Sequence, residues 1–140
     1  MEKTVVKSNR GAASLLHGVG RRKSSVARVW LKPGKGLIEV NGKDYQNYFD
    51  TDISKDKVVF PFKVTNLEKK YNVQVNVAGG GLKSQAEAVR LGISRALLVV
   101  NEALKPALKK NGLLSVDSRL KERKKYGQKA ARRKFQFVKR

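Results

Sequence analysis

Apolar and polar residues alternate along two stretches of this chain. Ser25, Ala27, Val29 and Leu31 alternate with Ser24, Val26, Arg28 and Trp30, and Tyr71, Val73, Val75 and Val77 alternate with Asn72, Gln74 and Asn76. A period of two sends successive side chains to opposite faces, so both stretches are predicted strands, the second with a polar outer face. After the first strand, Pro33, Gly34 and Gly36 predict a turn. Residues 37–40 then return as another strand and stop at Asn41-Gly42, the dipeptide best suited to a tight turn. This opening predicts a hairpin between the strand ending near Leu31 and the strand at 37–40.

The period changes in the second half. Ala86, Val89, Ile93, Ala96, Leu97 and Val100 recur every three or four residues, which makes one apolar stripe on a long helix beginning near Ser84. Pro106 suits the first turn of a second, shorter helix over 107–111, and Gly112 supplies a left-handed stop. Asp44 is placed to cap a short helix over 44–49, while 58–68, interrupted by Pro61, reads equally as helix or strand. The elements predict an α+β fold, a single domain of a few strands packed with two main helices.

Charge divides the chain further. Lys and Arg number 32 against 11 Asp and Glu, a formal net charge of +21. A compact body with that excess repels itself unless a polyanion neutralises it, which makes nucleic acid the leading partner. Eleven of the cations lie within 118–140, where Glu122 is the only acid. That segment has neither apolar period, and Gly127 interrupts any helix, so alone in water it is expected to be disordered. The expected organisation is a flexible N-terminal extension over 1–13, a globular RNA-binding domain over 14–117 and an extended basic tail over 118–140. No stretch approaches a membrane span and residues 1–10 have no apolar run like a signal peptide's, so the chain reads as soluble and unprocessed, with no membrane partner.

Catalysis has little raw material. There is no cysteine and a single histidine, His17, which excludes thiolate metal sites and leaves no triad with any special spacing. Asp44, Asp50, Asp52 and Asp56 cluster where caps and turns already account for them. Gly79-Gly80-Gly81-Leu82-Lys83-Ser84, between a strand and a helix, has the setting of a phosphate-cradling loop. However, Leu82 stands where such a loop needs Lys, and Asn76 where it needs Gly. Two readings of these glycines remain, a tight crossover with close helix packing, or a loop whose amides and Lys83 meet an RNA phosphate. Gly18-Val19-Gly20-Arg21-Arg22-Lys23-Ser24 reads as a basic turn before a strand, open to a phosphate backbone. Tyr126, Phe135 and Phe137 stand among the tail cations, a mixture suited to phosphate neutralisation and to stacking on unpaired bases. The chain is therefore expected to be no enzyme, with no cofactor, no metal and no small-molecule substrate.

These motifs carry a resemblance. Gly18-Val19-Gly20-Arg21-Arg22-Lys23-Ser24-Ser25-Val26-Ala27-Arg28 resembles the opening signature of the small-subunit ribosomal protein S9 family, and Gly79-Gly80-Gly81 with Gln85-Ala86 its central one. Asp117-Ser118-Arg119, Glu122-Arg123-Lys124-Lys125, Ala131-Arg132-Arg133, Phe135-Gln136-Phe137 and Lys139-Arg140 resemble its C-terminal pattern in order and spacing. The chain departs from that pattern at Val116, at Lys83-Ser84 and at Val138, where the family usually has Arg, Ser-Gly and Ser. The resemblance implies a domain like the second domain of ribosomal protein S5, seated on the head of the small subunit beside neighbouring head proteins. It implies binding to small-subunit ribosomal RNA, and the residues placed on it are Arg21, Arg22, Lys23, Arg28, Lys83, Arg119, Arg123, Lys124, Lys125, Lys129, Arg132, Arg133, Lys134 and Phe135. It implies that Lys139 and Arg140, at the tail tip, face peptidyl-site tRNA. The implied location is the ribosome of the cytoplasm, or of an organelle. A DNA-compacting protein would share the electrostatics, but such proteins tend to need dimers or long arms to bend a duplex.

Overall fold

The computed structural model describes residues 16–137. Five strands and four helices occur among them: β1 Leu16–Arg22, β2 Ser25–Pro33, β3 Ile38–Val40, β4 Lys43–Asp44, α1 Tyr45–Tyr48, α2 Asp52–Thr65, β5 Tyr71–Ala78, α3 Leu82–Val100 and α4 Lys105–Lys110, with a 3-10 turn at Glu102–Leu104. The α+β class is as expected. The expected extension over 1–13 and the tail tip 138–140 lie outside the described residues.

The sheet runs in the order β1-β2-β5-β3-β4. This corrects the predicted hairpin, because β5 lies between β2 and β3, antiparallel to β2 and parallel to β3. The reason is visible at Asn72. Its side-chain oxygen accepts from the amides of Lys35, Gly36 and Leu37 at 2.9 to 3.1 Å, so the chain after Pro33 wraps around the start of β5 instead of folding back on β2. The Asn41-Gly42 turn does form, with both residues at positive φ and Val40 opposite Lys43, but it joins β3 to the short β4.

The basic stretch at 18–24 is also corrected. Only Lys23 and Ser24 turn, and Gly18 to Arg22 belong to β1, paired with β2 from Leu16 opposite Leu31 to Arg22 opposite Ser25. Glycine weakens a strand, and here it is needed for space. A Cβ at Gly20 would lie 1.8 Å from the Ala88 carbonyl oxygen, and one at Gly18 2.2 Å from that of Gly92. The α3 backbone thus rides directly on β1, and Arg95 of α3 donates to the Val19 carbonyl at 2.8 Å.

Helices α2 and α3 cover one face of the sheet. Ala27, Val29 and Leu31 of β2, Val73, Val75 and Val77 of β5, and Ala86, Val89, Ile93, Ala96 and Leu97 of α3 make the core, with Val58 and Phe62 from α2 and Leu108 from α4. The ambiguous 58–68 stretch resolves as the end of α2. Val58 and Phe62, four apart, bury one side, Pro61 is accommodated inside the helix, and Asn66 at φ 54 stops it. As expected, Asp44 caps α1 by accepting from the Gln46 amide, Pro106 stands in the first turn of α4, and Gly112 is left-handed at φ 66. No strand or helix follows Lys110 among the described residues.

Candidate nucleic-acid interface

The tail leaves the body at an ionic clamp. Arg22, at the end of β1, donates to Glu87 of α3 at 2.6 Å and to the Arg119 carbonyl at 2.7 Å, and lies 3.5 Å from the Asp117 carboxylate. Lys57 of α2 donates to the other Glu87 oxygen at 2.7 Å. Asp117 in turn accepts three side-chain bonds and a backbone bond from Arg119. Three elements of the body therefore meet the root of the tail through one continuous set of charge-assisted bonds.

The clamp sets the ionisation of its acids. Burial pushes the Glu87 carboxyl upward, but hydrogen bonds from Lys57 and Arg22 more than reverse this and hold it below its ordinary value. The Arg119 side chain, then its amide, hold Asp117 well below the usual carboxylate range. A depressed carboxylate contributes stability above its unfolded pKa and loses it as pH falls through the folded value. Glu87→Gln is therefore expected to flatten the loss of stability below about pH 4.3, the ordinary Glu value. Arg22→Ala is expected to cost about 1 to 3 kcal/mol at neutral pH, since the Arg22 side chain is only 11% exposed and its partners lose charged hydrogen bonds. Denaturant midpoints across acid pH check both.

Beyond the clamp all the described cations but Lys125 are exposed. Arg123, Lys124, Lys129, Arg132, Arg133 and Lys134 are all exposed, as is Phe135 at 61%. Glu122, the lone acid, bonds Lys125 and Arg132, and the Lys129 and Ala130 amides donate to the Arg133 carbonyl, which folds this part of the tail into a hook. Tyr126 and Phe137 are 97% and 94% exposed. Aromatic rings left in water among cations are the usual equipment for unstacked bases.

The glycine loop shows the tight crossover. Gly79 and Gly80 have φ of 78 and 64, and a Cβ on either would collide with Ser24 or Ser25. Ser25 Oγ donates to the Gly79 carbonyl at 2.9 Å and meets Ser84 Oγ at 2.8 Å, while Gln85 Nε2 also donates to Gly79 at 3.0 Å. Ser84 thus completes a buried hydroxyl network. Lys83 stands exposed at the start of α3.

The sequence pattern described as "Ribosomal protein S9/S16" matches residues 20–140. The chain belongs to that family. The small ribosomal subunit protein uS9 of Cytophaga hutchinsonii is 52% identical over 126 residues, 90% of this chain and 98% of its own length. That of Christiangramia forsetii is likewise 52% identical over 126 residues, with the same coverage. That of Borreliella burgdorferi is 48% identical over 134 residues, 96% of this chain and 98% of its own. All three are bacterial. Family membership makes the chain a structural, non-enzymatic ribosomal protein.

The structure does not bring the sequence-predicted RNA residues to one place. Arg22 is spent inside the clamp, and Arg119 is tied to Asp117. Lys23 lies in the β1–β2 turn, Lys83 at the head of α3, and Arg21 and Arg28 on the sheet face turned away from the helices. Sequence reasoning missed Glu87 and Lys57. Neither carries a motif, since pairing across 65 and 30 residues has no local signal.

Proposed function

We propose that the protein is a structural constituent of the small ribosomal subunit that binds its ribosomal RNA, with the tail as the main electrostatic contact. The single observation that carries this is the run of cations from Arg123 to Lys134, all exposed but the half-buried Lys125, leaving the body at the Arg22-Glu87-Asp117 clamp. The clamp gives the tail a fixed origin, so its charges are delivered along one path. Lys23, Arg21, Arg28 and Lys83 add cations on the body, and Phe135 a ring for an unpaired base. Under the same reading the domain sits in the subunit head beside other head proteins, in a bacterial-type cytoplasmic ribosome, and Lys139 and Arg140 reach peptidyl-site tRNA.

The test is the salt dependence of binding to small-subunit RNA. The tail neutralises on the order of 6 to 10 phosphates, each adding nearly one unit to the log-log slope, so affinity should fall steeply from low to moderate salt. A slope near zero would sink the electrostatic account. Sedimentation of lysate through a gradient adds the assembly: travel with small subunits supports the reading, and travel with the nucleoid would favour a DNA compactor.

A further inference from the structure

Among the described residues, one face of the sheet carries no helix. Strand alternation turns the small and apolar residues of β1, β2 and β5 toward α2 and α3 and leaves the opposite residues outside. There the register places Trp30 of β2 between His17 of β1 and Gln74 of β5, and Arg28 between Val19 and Asn76. The His17 and Trp30 rings are 5.2 Å apart at 43°, and the Arg28 guanidinium lies 5.6 Å from the Trp30 ring centre. Arg21 and Lys32 extend the same face, and the amides of Gln74 and Asn76 are exposed on it. Beyond Gln74, the β5 partner of Trp30, is an open hollow of about 210 Å³, lined by Lys32, Leu37, Glu39, Asn72, Val73 and Gln74.

We propose that this face is an RNA site separate from the tail, where an unpaired base stacks against Trp30 while Arg28 and Lys32 hold the flanking phosphates. The proposal rests on the reading that the protein binds RNA. An aromatic ring on an open sheet, bracketed by cations and by amides able to meet base edges, is the chemistry by which sheets hold single-stranded nucleotides. Charge favours an anionic occupant: Arg21, Arg28 and Lys32 lie along β1 and β2, while the two acids of this face, Glu39 and Asp44 opposite it, stand at the β3–β4 edge. The blander account is a cross-strand aromatic pair that only stabilises the β1–β2 ladder. It leaves the flanking cations without a role and makes no demand on RNA.

Trp30 is the only tryptophan of the chain, so its fluorescence reports this face alone. The full-length protein is titrated with an unstructured, end-labelled oligoribonucleotide of about 10 nucleotides, within the range of one single-strand site. Label anisotropy and Trp30 emission are followed together, and a duplex RNA of equal length is the control. The expected result is quenching of Trp30 by the single strand and not by the duplex, whose bases are already stacked. The Arg28→Ala/Lys32→Ala double variant, which removes only exposed side chains, should shift the quenching midpoint by about 10-fold, two lost charge-assisted contacts, at unchanged thermal stability. Binding seen by anisotropy without quenching overturns the proposal and leaves the RNA reading standing, with this face free for a protein neighbour. Equal quenching by duplex and single strand, or a double variant that quenches like the native protein, also overturns it. No binding of either RNA would remove the RNA reading itself.

Discussion

Gly20→Ala should destabilise the protein by about 3 kcal/mol or more, the upper range for forcing atoms into a packed interior. The added methyl would sit 1.8 Å from the Ala88 carbonyl oxygen and 2.5 Å from the Gly92 amide nitrogen. Both are backbone atoms of α3, so no rotamer change relieves the contact. The helix must lift from β1, and in lifting it loses core contacts along Val89, Ile93 and Ala96. Gly42→Ala is the control, because nothing lies within 4 Å of a Cβ there and only its positive φ of 80 opposes the change. That strain costs on the order of 1 kcal/mol. Urea midpoints of the two variants should fall in that order with similar slopes. A Gly20 variant as stable as the Gly42 variant would mean that α3 does not ride on β1 as described.

Removing Lys139 and Arg140 should leave folding and ribosome incorporation unchanged, and under the proposed reading should weaken peptidyl-site tRNA binding by about 1 to 3 kcal/mol. That is the range of charge-assisted hydrogen bonds to phosphate. The deletion takes two of 32 cations. It leaves the clamp at Arg22, Glu87 and Asp117 whole, and with it the cations from Arg123 to Lys134. The two ends of the tail are therefore separable: Arg22→Ala should loosen where the tail starts, and the truncation should alter only what its tip meets. Small subunits assembled with full-length and truncated protein, checked for equal incorporation, are compared for tRNA dissociation constants at one salt concentration. Equal constants would place Lys139 and Arg140 in solvent or on ribosomal RNA, and the tRNA role would be withdrawn.

Much of the fold is local and was legible in the sequence. The period of two at Ser25 to Leu31 and at Tyr71 to Val77 specifies β2 and β5, and the apolar recurrence from Ala86 to Val100 specifies α3. Asp44, Pro106, Gly112 and Asn41-Gly42 act through their own φ preferences and side-chain bonds within a few residues, so caps and turns fell where expected. The segregation of cations into 118–140 is a matter of composition, and family membership bears out the ribosomal reading that it and the terminal motifs supported.

What only the tertiary structure decided is which elements meet. Glycines at 18 and 20 look like turn residues until the α3 backbone is seen against them. The one sequence hint was the four-residue spacing of Ala88, Gly92 and Ala96, a small-residue track on which β1 lies. The insertion of β5 between β2 and β3 depends on Asn72 holding a loop more than thirty residues earlier in the chain, beyond the reach of any local period. Arg22 and Arg21 are neighbours in a basic run, yet strand alternation sends one into the clamp with Glu87 and Asp117 and the other to the open face. Charge type is a property of each residue and can be counted. Which cations remain exposed depends on the acids and faces that folding brings to them, and those come from distant parts of the chain.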